Sequence, residues 1–390
     1  MTFRRSVARS LGRLVATALL LPLVAACTTQ TPDGGGTSRP GGASSQASTG
    51  GTGSIAGAPS ELQQVVDTVY GGGVLGVSAS ASAAKALATR KPTSTRPAGR
   101  AKVGDWMGVP VAVVTVGQDV TLAVGPRWQV VGGWWPSLGV AEPSLGGGPR
   151  WVLAIGSDAR PGQDLTRTRA DTLQVVGLDG TGGGGVMGMA RDLWVPLSTG
   201  GSGKINSAMA SGGPTAELAT VKRVTGLPIE GYVVIGFTGF TKVIDEQGGI
   251  PIVIPKTVNA AHAKIVVEAG PQILSGREAL AYARERKTLP DGDFGRSRHQ
   301  SEILIAAAIK AKLLGPIALP GVMTSVSRYA KSNLTAEQML TYAAAFYQLN
   351  PTKIGHEVAK GPTGWVGSQS VVTLGAEARR IFADFRDGNL

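Results

Sequence analysis

Acidic and basic side chains occur together in one loop between two apolar runs of the chain. The runs are Trp151 to Ile155 and Thr172 to Leu178, and both have the composition of buried strands. The loop carries three aspartates and three arginines: Asp158, Arg160, Asp164, Arg167, Arg169 and Asp171. Carboxylates bind divalent cations, and guanidinium groups bind phosphate oxygens bidentately. The loop therefore indicates either a site for a metal and a phosphate chain, or a solvated surface with ion pairs.

A second group of arginines lies more than a hundred residues further along the chain. The text ALAYARERKTLPDGDFGRSRHQ contains Arg284, Arg286, Arg296 and Arg298. Planar guanidinium groups hold phosphate oxygens better than lysines do. Two such clusters, brought together by a fold, would clamp a pyrophosphate. The alternative is a basic surface loop, but arginines are costly to cluster without an anion, which favours the clamp.

Strands and helices alternate around these clusters. The sequence predicts strands at 232–237, 250–254 and 353–358, and helices at 214–226, 238–247, 275–284, 296–314, 335–349 and 376–385. The capping-box patterns Ser275-Gly-Arg-Glu278 and Thr335-Ala-Glu-Gln338 mark two of the helix starts. This alternation predicts an α/β layered domain.

Two glycine-rich stretches resemble nucleotide-binding motifs but fail on context. Gly180 to Gly185 fits GxGxxG, yet it joins two strands and opens no helix, so it predicts a hairpin turn. Gly203-Lys204 is not a P-loop, because Ser198 stands where the first glycine belongs and Ile205 where Ser or Thr belongs.

The composition of the chain limits which binding partners and which cysteine or histidine sites are expected. The 390 residues carry a formal net charge of +12, which favours anionic partners such as nucleic acid, anionic lipid or phosphate-rich polymers. Cys27 is the only cysteine, so no intramolecular disulfide forms. The three histidines are dispersed, which argues against a His/Cys zinc site.

Four regions follow from changes in composition. Residues 1–26 have a basic start and a 13-residue apolar run, typical of a signal peptide. The sequence Val24-Ala25-Ala26-Cys27 resembles a bacterial lipobox, which predicts a lipid anchor on Cys27; the alternative is plain secretion. Residues 27–60 predict a disordered tether, residues 61–148 a linker and small β-rich accessory region (83–102 being linker-like), and residues 149–390 the main domain.

The charged clusters belong to an ordered set of short motifs between about residue 150 and residue 315. In chain order they are Gly156-Ser-Asp-Ala-Arg160, Arg169-Ala-Asp171-Thr, Arg191-Asp192, Lys204-Ile-Asn206, Gly212-Gly213, Phe240 to Gly249, Ala279 to Arg286, and Asp293-Phe-Gly-Arg296 with Gln300. Together they resemble the LytR-CpsA-Psr family, the cell-wall glycopolymer ligases of Gram-positive bacteria and actinobacteria. The lipobox adds a resemblance to an actinobacterial, lipoprotein form.

The resemblance implies an α/β fold: a three-layer α/β/α sandwich around a mixed central sheet, here with a small β-rich N-terminal elaboration. It implies a magnesium-dependent phosphotransferase. Such an enzyme attaches a polyprenyl-pyrophosphate-linked glycopolymer to a peptidoglycan hydroxyl through a phosphodiester and releases polyprenyl phosphate. The implied place is the extracytoplasmic face of the cell membrane, held by the lipid on Cys27, with no nucleic-acid partner.

The resemblance also implies residue roles. The catalytic residues would be Asp158, Asp171, Arg169, Arg191 and Asp192, with Asp158 and Asp171 also associated with Mg²⁺. The pyrophosphate would be bound by Arg160, Arg284, Arg286, Arg296 and Arg298. The general base would be Asp158, Asp171 or Asp192. Asp245 and Asp293 would either orient arginines or serve as structural ion-pair partners.

Three features depart from the family pattern. Ala190 stands where proline is common, and His299 takes the place of an arginine, so one phosphate contact is either lost or supplied by Arg298. Many relatives have an N-terminal transmembrane helix where this chain has the predicted lipid anchor. The sequence also leaves other functions open. Two alternatives to the transferase are a non-catalytic binder or scaffold of the lipid-linked glycan, and a pyrophosphatase on the same lipid. A transcription regulator is disfavoured, because the exported chain lacks a helix-turn-helix pattern.

Overall fold

The structure, a computed structural model, describes residues 53–390 of the chain. The predicted signal peptide, Cys27 and most of the predicted tether lie outside the described residues. The last residues of the predicted tether are described, and Ile55–Ala56 pairs in parallel with Gly99 and Arg100. The tether prediction therefore overlaps the folded part by a few residues.

The N-terminal part contains both helices and strands: β1 (Ile55–Ala56), α1 (Ser60–Gly71), α2 (Ala81–Leu87), β2 (Gly99–Trp106), β3 (Val109–Val116), β4 (Asp119–Val124) and β5 (Gln129–Trp134). The five strands form one sheet in the order β1-β2-β3-β4-β5. Apolar side chains of the two helices, such as Val66 and Leu87, pack against Ala112 and Val114 of the sheet. Residues 83–87, interpreted from sequence as linker, are helical, and Ser80 caps their helix by accepting a hydrogen bond from the Ala83 N–H.

The rest of the chain alternates between strands and helices, as the sequence predicts. Its elements are β6 (Arg150–Ser157), β7 (Ala170–Leu178), β8 (Gly184–Met189), β9 (Trp194–Pro196), β10 (Ser202–Lys204), α3 (Ser207–Thr225), β11 (Gly231–Gly236), α4 (Phe237–Glu246), β12 (Ile250–Ile254), β13 (Val258–Ala260), β14 (Ile265–Val267), β15 (Gly270–Leu274), α5 (Gly276–Arg284), α6 (Asp293–Leu314), α7 (Leu319–Tyr329), β16 (Ala330–Ser332), α8 (Ala336–Ala345), β17 (Ile354–Ala359), β18 (Thr363–Val366), β19 (Gln369–Val372) and α9 (Ala376–Asp384).

A six-stranded mixed sheet forms the middle layer, in the order β16-β11-β6-β7-β8-β17. β6, β7 and β8 pair antiparallel, whereas β11 joins β6 and β17 joins β8 in parallel. Gly180 to Gly185 supplies the β7–β8 hairpin connection, which confirms that prediction. A mixed sheet of this kind places the ends of β6 and β7 beside the start of α4, where the predicted site residues lie.

Helices cover both faces of this sheet. On one face, Leu153 and Val175 of the sheet share a core with Val221 of α3 and Phe382 of α9. On the other face, Val152 packs with Tyr342 of α8, and Gln174 bonds to Ser297 of α6. Neighbouring residues of a strand point to opposite faces, so β6 serves both cores. The predicted three-layer α/β/α sandwich is confirmed.

Local sequence signals account for several helix ends. Both predicted capping boxes are present, at Ser275 and Thr335. Gly226 ends α3 in the left-handed conformation (φ 72°) that favours glycine. α6 differs from the prediction, since it begins at Asp293 rather than Arg296.

The accessory sheet packs on α7 and α8. Trp106 shares a core with Met323 and Leu340, and its indole N–H donates to the Leu334 carbonyl at 3.0 Å. The Asp105 N–H donates to Thr324 Oγ1 at 2.8 Å. The described N-terminal part therefore buttresses α7 from outside.

In the part of the chain that the structure describes, no single helix has the length and apolar character needed to cross a membrane. One bent pair, Asp293–Leu314 with Pro316–Tyr329 at 108°, meets the length and composition requirement when the two are taken together.

Candidate active site

Asp171 lies in a bulge at one end of β7. Gly156 pairs with Thr172 but the next residue, Ser157, pairs with Ala170, so Asp171 is an extra residue on its strand. A bulge breaks the alternation of side-chain directions along a strand. Asp171 and its neighbour Thr172 consequently both line one polar pocket.

Arg191 follows β8 and contacts three aspartates. Its Nη1 donates to Asp171 Oδ1 at 2.7 Å, while its Nε lies 3.6 Å from Asp293 Oδ2 and 3.8 Å from Asp192 Oδ2. Burial opposes the charge, but Asp171, Asp293 and Asp192 outweigh it, so the pKa of Arg191 lies above its ordinary value. Among the described residues, the buried Nε has no hydrogen-bond partner. An unsatisfied buried N–H beside a pocket suits a ligand oxygen.

Asp293, the first residue of α6, connects the second arginine cluster to Arg191. Its carboxylate lies 3.5 Å from Arg296 Nη2 and 3.4 Å from Arg286 Nη1, in addition to its contact with Arg191. Burial would raise the pKa of Asp293, but the charges of Arg296, Arg191 and Arg286 hold it below its ordinary value. Asp293 is therefore a shared ion-pair partner of three arginines.

Arg284, the last residue of α5, has no such partner. Its guanidinium carbon lies 4.3 Å from the centre of the Phe237 ring, and that of Arg160 lies 5.9 Å from the same centre. Within residues 53–390, Arg284 makes no side-chain hydrogen bond or salt bridge. Burial, followed by the nearby charge of Arg160, lowers the pKa of Arg284, and the charge of Asp171 offsets only part of this. The ring gives only a weak attraction, so this cation is largely uncompensated.

These side chains surround a polar pocket of about 420 Å³. Its lining residues come from β7, the segment after β8, the start of α4, the β13–β14 turn and the second arginine cluster: Asp171, Thr172, Arg191, Phe237, Ala261, His262, Arg284, Glu285, Arg286, Lys287, Arg296 and Gln300. The fold thus brings together Asp171, Arg191, Arg284, Arg286 and Arg296 from the predicted site.

Other predicted residues lie in the loop after β6 or just beyond the pocket lining. Asp158 Oδ1 accepts a hydrogen bond from the Arg169 N–H at 3.1 Å, and the Asp158 N–H donates to the Arg169 carbonyl at 3.2 Å. These bonds close the loop, on which Arg160 and Arg169 are exposed. Asp192 follows Arg191 and forms a salt bridge with Lys204 Nζ at 2.8 Å.

Arg298 and His299 are directed away from the pocket lining. Arg298 Nη1 donates to Asp291 Oδ2 at 2.8 Å. His299 is buried and stacked on Tyr282, with ring centres 3.9 Å apart, and burial lowers its pKa. His299 is therefore a core side chain, and neither residue lines the polar pocket.

An apolar cavity of about 320 Å³ adjoins the polar pocket. It lies between the sheet and helices α4 to α7, and its wall includes Ile155, Phe240, Ile303, Leu304 and Val326. Four residues line both spaces: Thr172, Phe237, Arg284 and Gln300. The cavity also includes Leu314, which is 45% exposed. The site therefore has an anion-binding end and an apolar end.

Sequence reasoning assigned no role to several of the lining residues. Phe237 begins α4 and touches both arginine clusters, but a lone aromatic residue after a strand carries no motif. His262, whose Nδ1 lies 3.1 Å from Glu285 Oε2, lies in the β13–β14 turn far from the other site residues in sequence. Lys204, which belongs to one of the family motifs, lines neither space and is connected to the site only through its salt bridge with Asp192.

The two carboxylates assigned to magnesium can be compared with the needs of that ion. Within residues 53–390, no three or more His, Cys, Asp or Glu side chains form a metal-binding group. Asp158 and Asp171 each use Oδ1 in a protein hydrogen bond, and neither Oδ2 is hydrogen-bonded to a described residue. Mg²⁺ is commonly bound by one or two carboxylates, with water and substrate phosphate completing its shell. Two carboxylates are enough for an ion held jointly with a phosphate substrate; of the two, Asp171 lines the polar pocket and Asp158 does not.

Comparison with known proteins places the chain among relatives. A family model described as the LytR_cpsA_psr family matches residues 140–382. The chain is 33% identical over 196 residues to the polyisoprenyl-teichoic acid–peptidoglycan teichoic acid transferase TagU of Bacillus mycoides (strain KBAB4), covering 49% of this chain and 62% of that protein. It is 34% identical over 190 residues to the transferase TagV of Bacillus subtilis (strain 168), covering 46% and 48%.

The crystal structure of B. subtilis TagV is similar to 62% of this chain, with a TM-score of 0.53, 28% identity and 98% of that chain covered. The matched region spans about half to three fifths of the length of the two curated relatives. The family model covers more of this chain than either relative does, and its bounds include both arginine clusters and the residues lining both cavities. The chain belongs to the LytR_cpsA_psr family.

Proposed function

We propose that the protein is a phosphotransferase that attaches a polyprenyl-pyrophosphate-linked glycopolymer to peptidoglycan through a phosphodiester and releases polyprenyl phosphate. One observation carries the proposal: an apolar cavity and an arginine-lined pocket share Thr172, Phe237, Arg284 and Gln300. A lipid pyrophosphate has the same division, with a hydrocarbon chain joined directly to an anionic head. The apolar cavity suits the chain and the arginines suit the head.

The relatives support the reaction class. TagU and TagV carry names that describe transfer of teichoic acid to peptidoglycan. The matched region of this chain covers only part of those proteins, so their activity is carried over as part of the proposal. The partners are part of the same proposal: the lipid-linked glycan as donor and peptidoglycan as acceptor.

The chain's own residues have defined tasks in this reaction. Arg284, Arg286 and Arg296 hold the pyrophosphate, with Arg160 beside Arg284. Arg191, fixed by Asp171, offers its unsatisfied Nε–H to a phosphate oxygen. Fixed cations of this kind stabilise charge that develops during phosphoryl transfer.

In the chemical step, the acceptor hydroxyl oxygen bonds to the phosphorus that bears the glycan, and the bond from that phosphorus to the polyprenyl phosphate oxygen breaks. The hydroxyl proton passes to a carboxylate. Asp158, Asp171 and Asp192 remain the candidates for that base. Magnesium, held by Asp158 and Asp171, would neutralise charge on the phosphate oxygens.

The proposed place of action is the extracytoplasmic face of the cell membrane. The predicted signal peptide at 1–26 and the predicted lipid anchor at Cys27, both outside the described residues, support this place. A lipid-linked donor would be available at that membrane, with peptidoglycan on its outer side.

Transfer of a labelled lipid-linked glycan to peptidoglycan, with and without magnesium, tests the function. We expect Arg169→Ala and Asp171→Ala each to abolish transfer. Arg167→Ala is the matched control, since Arg167 is in the same loop but outside the family motifs, and it should retain normal activity. Normal transfer by both site variants would contradict the residue assignment. Hydrolysis of the lipid pyrophosphate without coupling would indicate the pyrophosphatase, and binding without turnover the scaffold.

A further inference from the structure

The two-stranded ribbon of β12 and β15 is apolar on both faces. Its inner face places Ile250, Ile254 and Leu274 in a core beneath it. Alternation along the paired strands puts Val253 and Ile273 on the outer face, where they are 69% and 71% exposed. Antiparallel strands with one face in water normally alternate apolar and polar residues. The outer face of this ribbon therefore has the composition of a contact surface.

This outer face continues into the wall of the apolar cavity. Gly249 lines the cavity, and a Cβ built on it would lie 2.9 Å from Ile273 Cγ2. Leu314, at the end of α6, also lines the cavity, and its neighbour Leu313 is 76% exposed. Exposed apolar side chains thus collect where the cavity reaches the surface.

A lysine side chain lies at the edge of this exposed apolar surface. Lys310, which lines the cavity, donates its ammonium to the carbonyls of Gln247 and Gly249. Lysine side chains with an apolar stem and a polar head are suited to the boundary between hydrocarbon and water.

We propose that this apolar rim, made of Pro251, Val253, Pro271, Ile273, Leu313 and Leu314, docks on the surface of a lipid bilayer. The proposal rests on the proposed function, because a polyprenyl donor has its hydrocarbon chain in a membrane. Moving that chain through water is unfavourable in proportion to its apolar area. A cavity whose rim contacts the bilayer lets the chain pass from one apolar medium to another.

The docking also sets an orientation. The rim is next to Gly249 and Leu314, whereas the polar pocket joins the cavity at Thr172 and Arg284. With the rim on the bilayer, the apolar cavity opens toward the membrane and takes up the chain, and the arginine end holds the head group on the water side of that chain. The predicted anchor at Cys27 holds the chain to the same membrane and keeps the rim near its partner.

The full chain is tested with two donors: a polyprenyl-linked glycan embedded in phospholipid vesicles, and a short-chain, water-soluble analogue. Val253→Ser with Ile273→Ser should lower transfer from the membrane donor about tenfold, because apolar area at the bilayer is lost, and should leave transfer from the soluble donor unchanged. The control, Val74→Ser with Val77→Ser, changes two residues that are 94% and 89% exposed in the accessory region, and should affect neither. Equal membrane-donor rates for wild type and the rim variant would overturn the proposal.

A second measurement does not depend on turnover. Ile273→Trp keeps the rim apolar, and its fluorescence should be quenched by vesicles of brominated phospholipid, beyond the quenching of wild type and of Val77→Trp. This result decides the matter if the serine variant loses activity with both donors: added quenching supports docking, and its absence overturns it. Self-association without vesicles that the serine variant abolishes would also overturn it, in favour of a second copy. Failure of wild type to use either donor would instead sink the proposed function.

Discussion

Arg150 is a buried arginine and Arg284 a half-buried one, and their surroundings are opposite. Arg150 donates to both carboxylate oxygens of Glu230, at 2.6 and 2.7 Å, and its remaining donors reach the Leu145 and Gln338 carbonyls and Thr341 Oγ1. Arg284 makes no side-chain hydrogen bond to any residue in the described part of the chain and lies near another cation, Arg160. The guanidinium of Arg150 thus has its hydrogen-bond and ion-pair partners within the protein, whereas that of Arg284 does not.

Glu217 shows how a different buried charge is accommodated. It is fully buried, its Oε2 accepts one hydrogen bond from the Met209 N–H at 2.8 Å, and its Oε1 has no partner within residues 53–390. Burial raises the pKa of Glu217 to about 8, so the carboxyl is neutral at pH 7. A guanidinium cannot lose its charge in this way. A half-buried arginine that lines a pocket without a protein ion-pair partner therefore suits an anion from outside, which is why Arg284 indicates a ligand and Glu217 does not.

Arg284→Met tests that distinction with the largest expected effect. The substitution keeps an unbranched side chain at this position but removes the charge that faces the pyrophosphate. We expect transfer to fall about a hundred- to a thousand-fold. The melting temperature should stay the same or rise, because the change removes a desolvated cation beside Arg160. Transfer assays and thermal unfolding of the same preparation measure both effects, and a marked loss of stability would contradict the comparison.

Arg150→Met should behave in the opposite way. Removing the guanidinium leaves Glu230 partly buried without its partner, so the free energy of unfolding should fall by about 3 kcal/mol. Transfer per folded molecule should change little, since Arg150 lies outside both cavities. Denaturant unfolding measures the loss. The double variant Arg150→Met with Glu230→Leu is the control and should recover much of it; no recovery would mean that packing, not charge, is responsible.

Glu217→Gln should change the pH dependence of stability. The folded-state pKa near 8 exceeds the ordinary value of 4.5, so the folded state binds the proton more tightly. Stability from this group is full below pH 4.5 and is lost as pH rises through 8. Glutamine keeps an acceptor for the Met209 N–H and does not titrate. At alkaline pH the variant should therefore be more stable than wild type, by roughly 2 kcal/mol. If the difference in stability between the variant and wild type were the same at about pH 5 and about pH 9, the account would be disproved.

Local signals in the sequence predicted much of the fold. Ser275 and Thr335 begin helices through capping boxes, and Gly226 ends one, because each of these interactions involves residues within one helical turn. The α/β layering followed from the alternation of elements. Helix α2 was missed because its short Ala-rich run shows no apolar period and is followed by a Pro- and Thr-rich stretch.

The candidate site was predicted as a set of residues but not as a geometry. Which of them face one pocket depends on the bulge at Asp171, and that bulge follows from the pairing of β6 with β7 rather than from any local signal. The shared wall of Phe237 and Gln300 depends on α4 and α6 lying on the same side of the sheet, around one cavity. Such contacts between distant segments have no counterpart in a single motif.

Arg296 and Arg298 show the same limit within one helix. The sequence predicted that α6 begins at Arg296. At the first residues of a helix the sequence does not determine where each side chain points. Because α6 begins at Asp293, both arginines lie within the helix, and two residues correspond to about 200° of rotation. Arg296 therefore lines the polar pocket while Arg298 points elsewhere, to Asp291.

Arg298→Met is the smallest and last test of the comparison. The ion pair with Asp291 is partly exposed on both sides, so its loss should change the free energy of unfolding by less than about 1 kcal/mol. Transfer should stay within about twofold of wild type, in contrast to Arg296→Met, which removes a buried cation from the pocket. Both variants remove one guanidinium from the same helix, two positions apart. A difference between them therefore reports the direction of the side chain rather than the loss of charge alone. A large loss of transfer in Arg298→Met would restore the expectation that Arg298 replaces the missing arginine at His299, and would mean that the start of α6 rearranges when the substrate binds.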